Sequence, residues 1–305
     1  MKIIDTGTKK VYNILHSKTH TKEGITMKRI LTVQDISCVG KCSLTVALPI
    51  ISAMGVEAAI LPTAVLSTHT MFSGFTFCDL TNEIQPITKH WKEQGFKFDA
   101  IGTGYLGSFE QIDSVASIFE DFGNGVLKIV DPVMGDNGKL YPAFDMNFAH
   151  KMATLCAKAD IIIPNLTEAC FMLDIPYQDN GYSREYIENI LRRLTSLGCK
   201  KAVITGVSFD DTLLGCMGYD SETGEFFEDY NTKIEQKYHG TGDIYSSVFI
   251  GGLMNGMSVQ ESAALAADFV CDSIIATQTD ETPIDYGVHF EKVIPSLCER
   301  LKSIK

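Results

Sequence analysis

The feature that most constrains the fold of this 305-residue chain is a regular alternation of short apolar runs with longer segments of helical period. The runs that we interpret as strands are residues 30–33, 56–61, 98–101, 126–130, 160–163 and 201–204. The intervening segments that we interpret as helices include residues 44–54, 108–121, 145–158 and 183–197. This alternation predicts an α/β fold, in which a mostly parallel central sheet carries helices on both faces and binds ligands at the carboxyl ends of its strands.

Two segments interrupt the alternation. Residues 70–80 are rich in Phe and Gly and lie between a strand and a helix, so we expect a small β flap over a binding site. Phe72, Phe75 and Phe77 would lie on this flap. Residues 213–230 hold two β-type runs around a Ser-Glu-Thr-Gly turn, which predicts a hairpin.

The domain organisation follows from the same pattern. Residues 1–26 are polar and show no period, and they end at a second methionine, Met27. We interpret 1–26 as a loosely ordered N-terminal extension or a mis-assigned start. Because no linker or repeat interrupts the remainder, we expect residues 27–305 to form one domain.

Composition excludes several classes of function. The net charge of −12 and the pI near 5.0 argue against nucleic-acid binding, which depends on clustered Lys and Arg. No run of eighteen apolar residues is present, so we expect no membrane span. Nine cysteines without a Cys-x-x-Cys pair fit a reduced, cytoplasmic protein better than a disulfide framework.

A late glycine turn offers a place for an anion. Gly240, Thr241 and Gly242 precede Asp243 and a long apolar run, which predicts a turn that enters a helix. Free N–H groups at a helix start could hold a phosphoryl group, and Asp243 could then accept a proton from an attacking hydroxyl. Taken alone, a glycine turn with Asp243 as a helix cap is the better interpretation, because short glycine motifs often match by chance.

Two acidic motifs follow predicted strands directly. Asp131 comes directly after the predicted strand 126–130 and before a Gly-rich segment. Its carboxylate would face the ligand crevice and could bind a metal or orient a phosphate. The alternative is a simple Asp-Pro turn. Asn165 and Glu168 are three residues apart at a strand-to-helix turn and could hold Mg²⁺ through water. Spacing alone favours a capping box for this pair.

A literal G-x-G-x-x-G at residues 102–107 raises a rival of another class. Such a motif after a strand is typical of nicotinamide-dependent oxidoreductases, and Asp131 could be the acidic residue that follows about twenty residues later. That hypothesis leaves Asp243 and the pair of Asn165 and Glu168 unexplained.

Several motifs in one order resemble the ribokinase superfamily. They are Asp-Pro-Val-Met-Gly-Asp at 131–136, Pro-Asn-Leu-Thr-Glu at 164–168, Thr-Gly at 205–206 and Gly-Thr-Gly-Asp at 240–243. Three others are similar to bacterial pyridoxal and pyridoxamine kinases: Thr-Val-Gln-Asp at 32–35, Leu-Ser-Thr-His-Thr at 66–70 and Thr-Gly-Tyr-Leu-Gly-Ser at 103–108. The resemblance covers the chain from Met27 to Leu301.

The resemblance implies roles for individual residues. Asp243 would be the catalytic base, beside an anion hole formed by Gly240, Thr241 and Gly242. The expected ATP-binding residues are Asp131, Asn165, Glu168, Thr205 and Gly206, and of these Asp131 and Glu168 would organise Mg²⁺. The expected substrate-binding residues are Asp35, Ser37, His69, Thr70 and Tyr105.

The resemblance also implies ATP as phosphate donor, Mg²⁺, a monovalent cation as an open alternative, and a homodimer. The expected reaction is phosphorylation of the 5′-hydroxymethyl group of pyridoxal, pyridoxamine or pyridoxine. One departure concerns Asp35, because many pyridoxal kinases carry Ser there, and Asp35 with Ser37 instead resembles the Asp-x-Ser of hydroxymethylpyrimidine kinases. A hydroxymethylpyrimidine kinase and a catalytically silent vitamin-binding protein therefore stay open as alternatives.

Overall fold

The computed structural model describes residues 27–282 and 284–304, so the predicted extension 1–26 lies outside the described residues. Its strands are β1 (Arg29–Ser37), β2 (Glu57–Leu66), β3 (Phe77–Asp79), β4 (Ala100–Thr103), β5 (Leu127–Val130), β6 (Gly135–Asp136), β7 (Lys139–Leu140), β8 (Ile161–Ile162), β9 (Lys201–Val207), β10 (Leu213–Asp220) and β11 (Glu225–Thr232).

The helices alternate with these strands along the chain. They are α1 (Leu44–Ala53), α2 (Thr81–Gln94), α3 (Phe109–Phe122), α4 (Met146–Cys156), α5 (Leu166–Met172), α6 (Arg184–Thr195), α7 (Thr241–Met254), α8 (Val259–Gln278) and α9 (Ile294–Ile304), with a 3₁₀ turn at Phe290–Lys292. Ser108, Asp145 and Ser183 cap α3, α4 and α6 through their side chains, which fixes the predicted helix starts.

Within the described residues, nine strands form one sheet in the order β11-β10-β9-β8-β5-β4-β1-β2-β3. The six strands from β9 to β2 pair in parallel. Both edges are antiparallel: β3 pairs with β2, and the β10–β11 hairpin pairs with β9. The mostly parallel α/β sheet and the hairpin predicted from the sequence are thereby confirmed.

The core has two layers, one on each face of the sheet. Successive residues of a strand point to opposite faces, so Leu31 and Val33 of β1 join one layer while Ile30 joins the other. Helices α2 to α6 cover the first face, and α1, α7, α8 and α9 cover the second. This explains why residues 30–33 of β1 are mostly apolar, as buried parallel strands usually are.

Two predicted segments differ from the structure. Strand β4 begins at Ala100, two residues later than predicted, because the ring of Phe98 packs edge-on against Trp91 and Phe122. In the predicted flap only β3 is a strand, and it extends the sheet edge beside β2. Phe75 and Phe77 are 38% and 53% exposed, so this segment is a short edge strand that carries exposed aromatic side chains.

Among residues 27–282 and 284–304, no helix combines the length and apolar character needed to cross a membrane.

Candidate active site

The sheet reverses its direction of growth beside β1, and this reversal creates a crevice. The chain runs from β1 to β2 on one side, whereas β4 pairs with β1 on the other. In open parallel sheets, ligands bind outside the carboxyl ends of the strands at such a point. Asp35 near the end of β1, Tyr105 just beyond β4 and Asp131 just beyond β5 all lie at this edge.

The late glycine turn also lies at this crevice. Gly240 has left-handed backbone angles, φ 77° and ψ 0°, and is the N-cap of α7. A Cβ at Gly240 would lie 1.8 Å from the carbonyl oxygen of Lys41, whereas a Cβ at Gly242 would meet nothing within 4 Å. The turn is therefore packed against the β1–α1 loop on one side and open on the other. The first N–H groups of a helix have no partner within that helix, so this open side can receive an anion.

Asp243 lies in the first turn of α7 with a carboxyl group adapted to proton transfer. Burial raises its pKa to about 7, and the nearby charge of Asp35 adds to the rise. The backbone amide of Ser43 faces the same carboxylate and offsets part of the rise. A carboxyl group with a pKa near neutral pH can take a proton and release it again.

Asp35 lies beside Asp243 and is held by Ser43. The Ser43 hydroxyl donates a hydrogen bond of 2.5 Å to Asp35 Oδ1, and Asp35 is only 6% exposed. Burial raises the pKa of Tyr105 and the charge of Asp35 adds to the rise, so these two predicted substrate residues lie near each other. Ser37, at the end of β1, is buried and lies near the Cys42 thiol. Burial raises the pKa of that thiol to about 12, so it stays protonated.

The β2–β3 turn brings His69 and Thr70 to the rim of the crevice. The His69 ring lies with its centroid 4.7 Å from that of His239, the residue before the glycine turn. Burial lowers the pKa of His69, and His239 lowers it further. Thr70 is exposed.

Asp131 is connected to the same helix as Asp243. The Ser246 hydroxyl, in the second turn of α7, donates a hydrogen bond to Asp131 Oδ2. Burial and the charge of Asp243 raise the pKa of Asp131 to about 8. A cavity of about 10 Å³, close to the space for one water molecule, separates Asp131 from Asp243 and is lined also by Gln34 and Thr103.

Glu168 and Asn165 form the capping box that their spacing favours. Asn165 Oδ1 accepts from the Glu168 N–H at 3.0 Å, and Glu168 Oε2 accepts from the Asn165 N–H at 2.9 Å. Glu168 Oε1 accepts from the Met134 N–H, which binds α5 to the segment after Asp131. Burial and Asp131 raise the pKa of Glu168.

Thr205 and Gly206 complete this side of the crevice. Asn165 forms a parallel β-bridge with Thr205, so the residues after β8 and those in β9 are neighbours. Gly206 has φ 73°, and a Cβ there would meet nothing within 4 Å. All five predicted ATP-binding residues therefore lie along one continuous edge from β5 to β9.

The donor set fits a hard cation bound partly through water. Asp131 and Glu168 present oxygen atoms, and burial together with like charge is what raises both pKa values. The described residues contain no cluster of three or more His, Cys, Asp or Glu side chains arranged around a metal position. Since both Glu168 oxygens accept backbone N–H groups, Asp131 is the better direct ligand.

The G-x-G-x-x-G motif has a packing role. A Cβ at Gly102 would lie 2.9 Å from Ile250 Cδ1, and one at Gly104 would lie 2.5 Å from Gln34 Oε1. These glycines allow β4 to approach α7 and β1 closely. The motif therefore gives no support to the dinucleotide-binding hypothesis.

Sequence reasoning missed two residues of the site. Ser43 and Ser246 contact Asp35 and Asp131, from which they are 8 and 115 residues distant in the chain. Neither serine belongs to a motif that we could recognise. Only the pairing of α1 and α7 with the strand ends brings them to the carboxylates.

Comparison with known proteins gives consistent relatives. A family model described as phosphomethylpyrimidine kinase matches residues 48–286. Two crystal structures of a candidate phosphomethylpyrimidine kinase from Bacteroides thetaiotaomicron are similar to this chain. The first is 39% identical with a TM-score of 0.86, and the match covers 92% of this chain and 96% of that one. The second is 40% identical with a TM-score of 0.84, and the match covers 89% of this chain and 96% of that one. The second of these structures contains pyridoxal.

Pyridoxal kinases are also among the relatives. The crystal structure of the Lactobacillus plantarum enzyme is 31% identical with a TM-score of 0.83, and the match covers 91% of this chain and 99% of that enzyme's chain. Pyridoxal kinase of Dictyostelium discoideum is 24% identical over 81% of this chain and 83% of its own.

The fold and these relatives define a kinase of the ribokinase-like superfamily. Because the family model covers more than half of its residues, the chain belongs to the phosphomethylpyrimidine kinase family. The predicted fold and the predicted superfamily are confirmed. The chain is a phosphotransferase that acts on an alcohol group, as the resemblance implied.

Proposed function

We propose that this protein phosphorylates the 5′-hydroxymethyl group of pyridoxal, pyridoxamine or pyridoxine with ATP. The observation that carries the proposal is the placement of Asp243 between an open glycine turn and the pocket of Asp35 and Tyr105. An acceptor hydroxyl and a phosphoryl group could meet there beside one base. The pyridoxal in the 40% identical Bacteroides structure supports a vitamin B6 acceptor.

The chemistry follows from this arrangement. The acceptor oxygen attacks the terminal phosphorus of ATP, its proton passes to Asp243, and ADP leaves. Gly240, Thr241 and Gly242 offer backbone N–H groups to the transferred phosphoryl oxygens. Asp35 and Tyr105 hold the ring, and their buried surroundings exclude water from the reaction.

The nucleotide phosphates would lie along the edge that runs from Asp131 to Thr205. The Asn165 side chain is fixed there, since its Nδ2 donates to the Gly135 carbonyl at 2.8 Å. Mg²⁺, when bound near Asp131 with Glu168 behind it, would offset the charge of the phosphates. A monovalent cation remains a further proposal that rests on the resemblance alone.

The thiamin branch is the second candidate, and Asp35 is the observation that favours it. A buried carboxylate at the ring pocket could accept a hydrogen bond from the amino group of an aminopyrimidine as well as from the protonated ring nitrogen or the ring hydroxyl of a B6 vitamer. Pyridoxal in the 40% identical neighbour, together with the pyridoxal kinases among the relatives, supports the vitamin B6 acceptor instead.

The test is a competition assay with one ATP pool and equal amounts of pyridoxal, pyridoxamine, pyridoxine, hydroxymethylpyrimidine and ribose. We expect the B6 vitamers to carry most of the transferred phosphate. Dominant phosphorylation of hydroxymethylpyrimidine would move the protein to the thiamin branch. Vitamer binding without ATP consumption would identify a silent binder, and ribose phosphorylation would contradict a ring pocket at Asp35 and Tyr105.

We also propose a cytoplasmic homodimer. Nine unpaired cysteines support a reducing compartment. Strand β3 supports self-association, because it is an edge strand in the described part of the sheet and carries exposed Phe77. Sedimentation of wild type and Phe77→Lys tests the dimer: we expect a dimer for wild type and dissociation for the variant.

A further inference from the structure

Ser43 has a backbone conformation that is unusual for any residue except glycine. Its angles are φ 51° and ψ −133°, and it is buried between the end of β1 and the start of α7. Backbone strain of this kind persists only where neighbouring structure enforces it, and it often occurs at functional sites.

The ordinary role of a serine at this position is absent. Ser43 is the N-cap of α1, where serine normally accepts a hydrogen bond from a backbone N–H of the first turn. Its side chain makes no such bond. The hydroxyl instead donates to Asp35 Oδ1 at 2.5 Å.

The loop around Ser43 is held from several directions, and these contacts maintain the conformation. Thr45 Oγ1 donates to the carbonyl groups of Gly40 at 3.1 Å and Cys42 at 2.7 Å. The Lys41 carbonyl lies against Gly240, and Lys41 Nζ contacts Glu291 at 2.5 Å. The loop is therefore rigid enough to hold the Ser43 hydroxyl in its position against Asp35.

We propose that Ser43 is a positioning residue for the acceptor: its hydroxyl fixes the Asp35 carboxylate against the substrate ring. This inference rests on the proposed function, in which Asp35 contacts the acceptor and Asp243 is the base. Ser43 itself touches neither reacting atom. One strained residue thus holds the carboxylate that faces the ring.

Ser43→Gly separates the hydroxyl from the backbone. Glycine adopts the observed angles without strain, so the loop keeps its path and only the hydroxyl is lost. Because a hydrogen bond to a carboxylate is strong, we expect the KM for pyridoxal to rise about 10- to 100-fold. The KM for ATP should stay within about twofold and kcat should fall less than the KM rises, since Asp243 itself is unchanged. The melting temperature should not fall.

Two comparisons make the test specific. Thr45→Val removes the hydrogen bonds to Gly40 and Cys42, but the contacts of Lys41 with Gly240 and Glu291 remain and keep Ser43 beside Asp35, so we expect the KM for pyridoxal to change less than about threefold. In the double variant Ser43→Gly/Asp35→Asn, the KM should equal that of Asp35→Asn alone, because the serine acts through that carboxylate.

The inference is overturned if Ser43→Gly leaves the KM unchanged, if Thr45→Val raises it equally, or if the two changes in the double variant are additive. Calorimetric titration with pyridoxal in the absence of ATP gives the dissociation constants for the same variants. A wild type that binds pyridoxal without phosphorylating it would refute the proposed function, whereas the dissociation constants would still decide the role of Ser43.

Discussion

At the scale of single residues, the properties of Asp243 lead to a prediction for turnover. Asn has nearly the same shape as Asp, but its amide cannot take the proton of the acceptor hydroxyl. We expect Asp243→Asn to lower kcat by about two to four orders of magnitude while circular dichroism stays unchanged. Turnover within a few-fold of wild type would contradict the assignment of Asp243 as the base.

The same substitution should also alter the dependence of stability on pH. The folded protein retains a proton on Asp243 up to a pH of about 7, whereas the unfolded chain releases it near 3.8. Wild-type stability therefore falls as the pH rises through this window, and Asp243→Asn lacks that contribution. Without metal or nucleotide, the variant should match wild type near pH 4 and melt about 2–5 °C higher at pH 8. A difference in melting temperature between variant and wild type that is the same at both pH values would show that the Asp243 pKa is not raised.

The two glycines of the turn give a matched pair of variants. Gly240→Ala places a Cβ 1.8 Å from the Lys41 carbonyl at a φ of 77°, so we expect a loss of about 2–4 kcal/mol in the free energy of unfolding. Gly242→Ala meets open space and should unfold within about 0.5 kcal/mol of wild type. If the open side receives phosphate, Gly242→Ala should nevertheless raise the KM for ATP. Urea titration and steady-state kinetics measure the two effects separately.

At the scale of elements, the capping box of α5 serves two purposes that one variant can separate. Both oxygens of Glu168 accept backbone N–H groups, so Glu168→Gln turns an amide N–H₂ toward one of those donors. We expect unfolding to become easier by about 1–3 kcal/mol. If Glu168 also supports Mg²⁺, the concentration for half-maximal rate should rise. An unchanged Mg²⁺ titration in a destabilised variant would leave Glu168 as a capping residue only.

Most helices and strands could be predicted, because they depend on the residue pattern of their own segment of the chain. Helical period and side-chain caps identify α3, α4 and α6, and apolar runs identify the parallel strands. The start of β4 and the shape of the predicted flap could not be predicted, since they depend on how Phe98 packs and on whether β2 has room for a partner.

The candidate site divides in the same way. The sequence predicts the place of both aspartates, because Asp131 follows an apolar strand and Asp243 follows a glycine turn at a helix start. The hydrogen bonds that hold the carboxylates are not visible, since Ser43 and Ser246 reach them through tertiary packing. The strained conformation of Ser43 has no signature in its residue type.

At the scale of the whole molecule, residues 1–26 give a simple test of domain organisation. A chain that begins at Met27 should melt within about 3 °C of the full-length protein and keep its activity, because the extension shows no apolar period. Calorimetry and the vitamer assay measure both properties. A large loss of either would show that the extension docks on the domain.

The packing of α1 against α7 has a consequence for the order in which the protein is made. Both helices belong to one core layer, with Ile50 and Phe249 fully buried in it, yet most of the chain separates them. At about 5–20 residues per second, the ribosome reaches α7 roughly 10–40 s after α1. For that interval the part of α1 that packs on α7, and the part of the same sheet face that α7, α8 and α9 cover, have no partner. A nascent chain of this protein should therefore be most prone to aggregation, and most dependent on chaperones, before the residues that carry its proposed catalytic base have been synthesised.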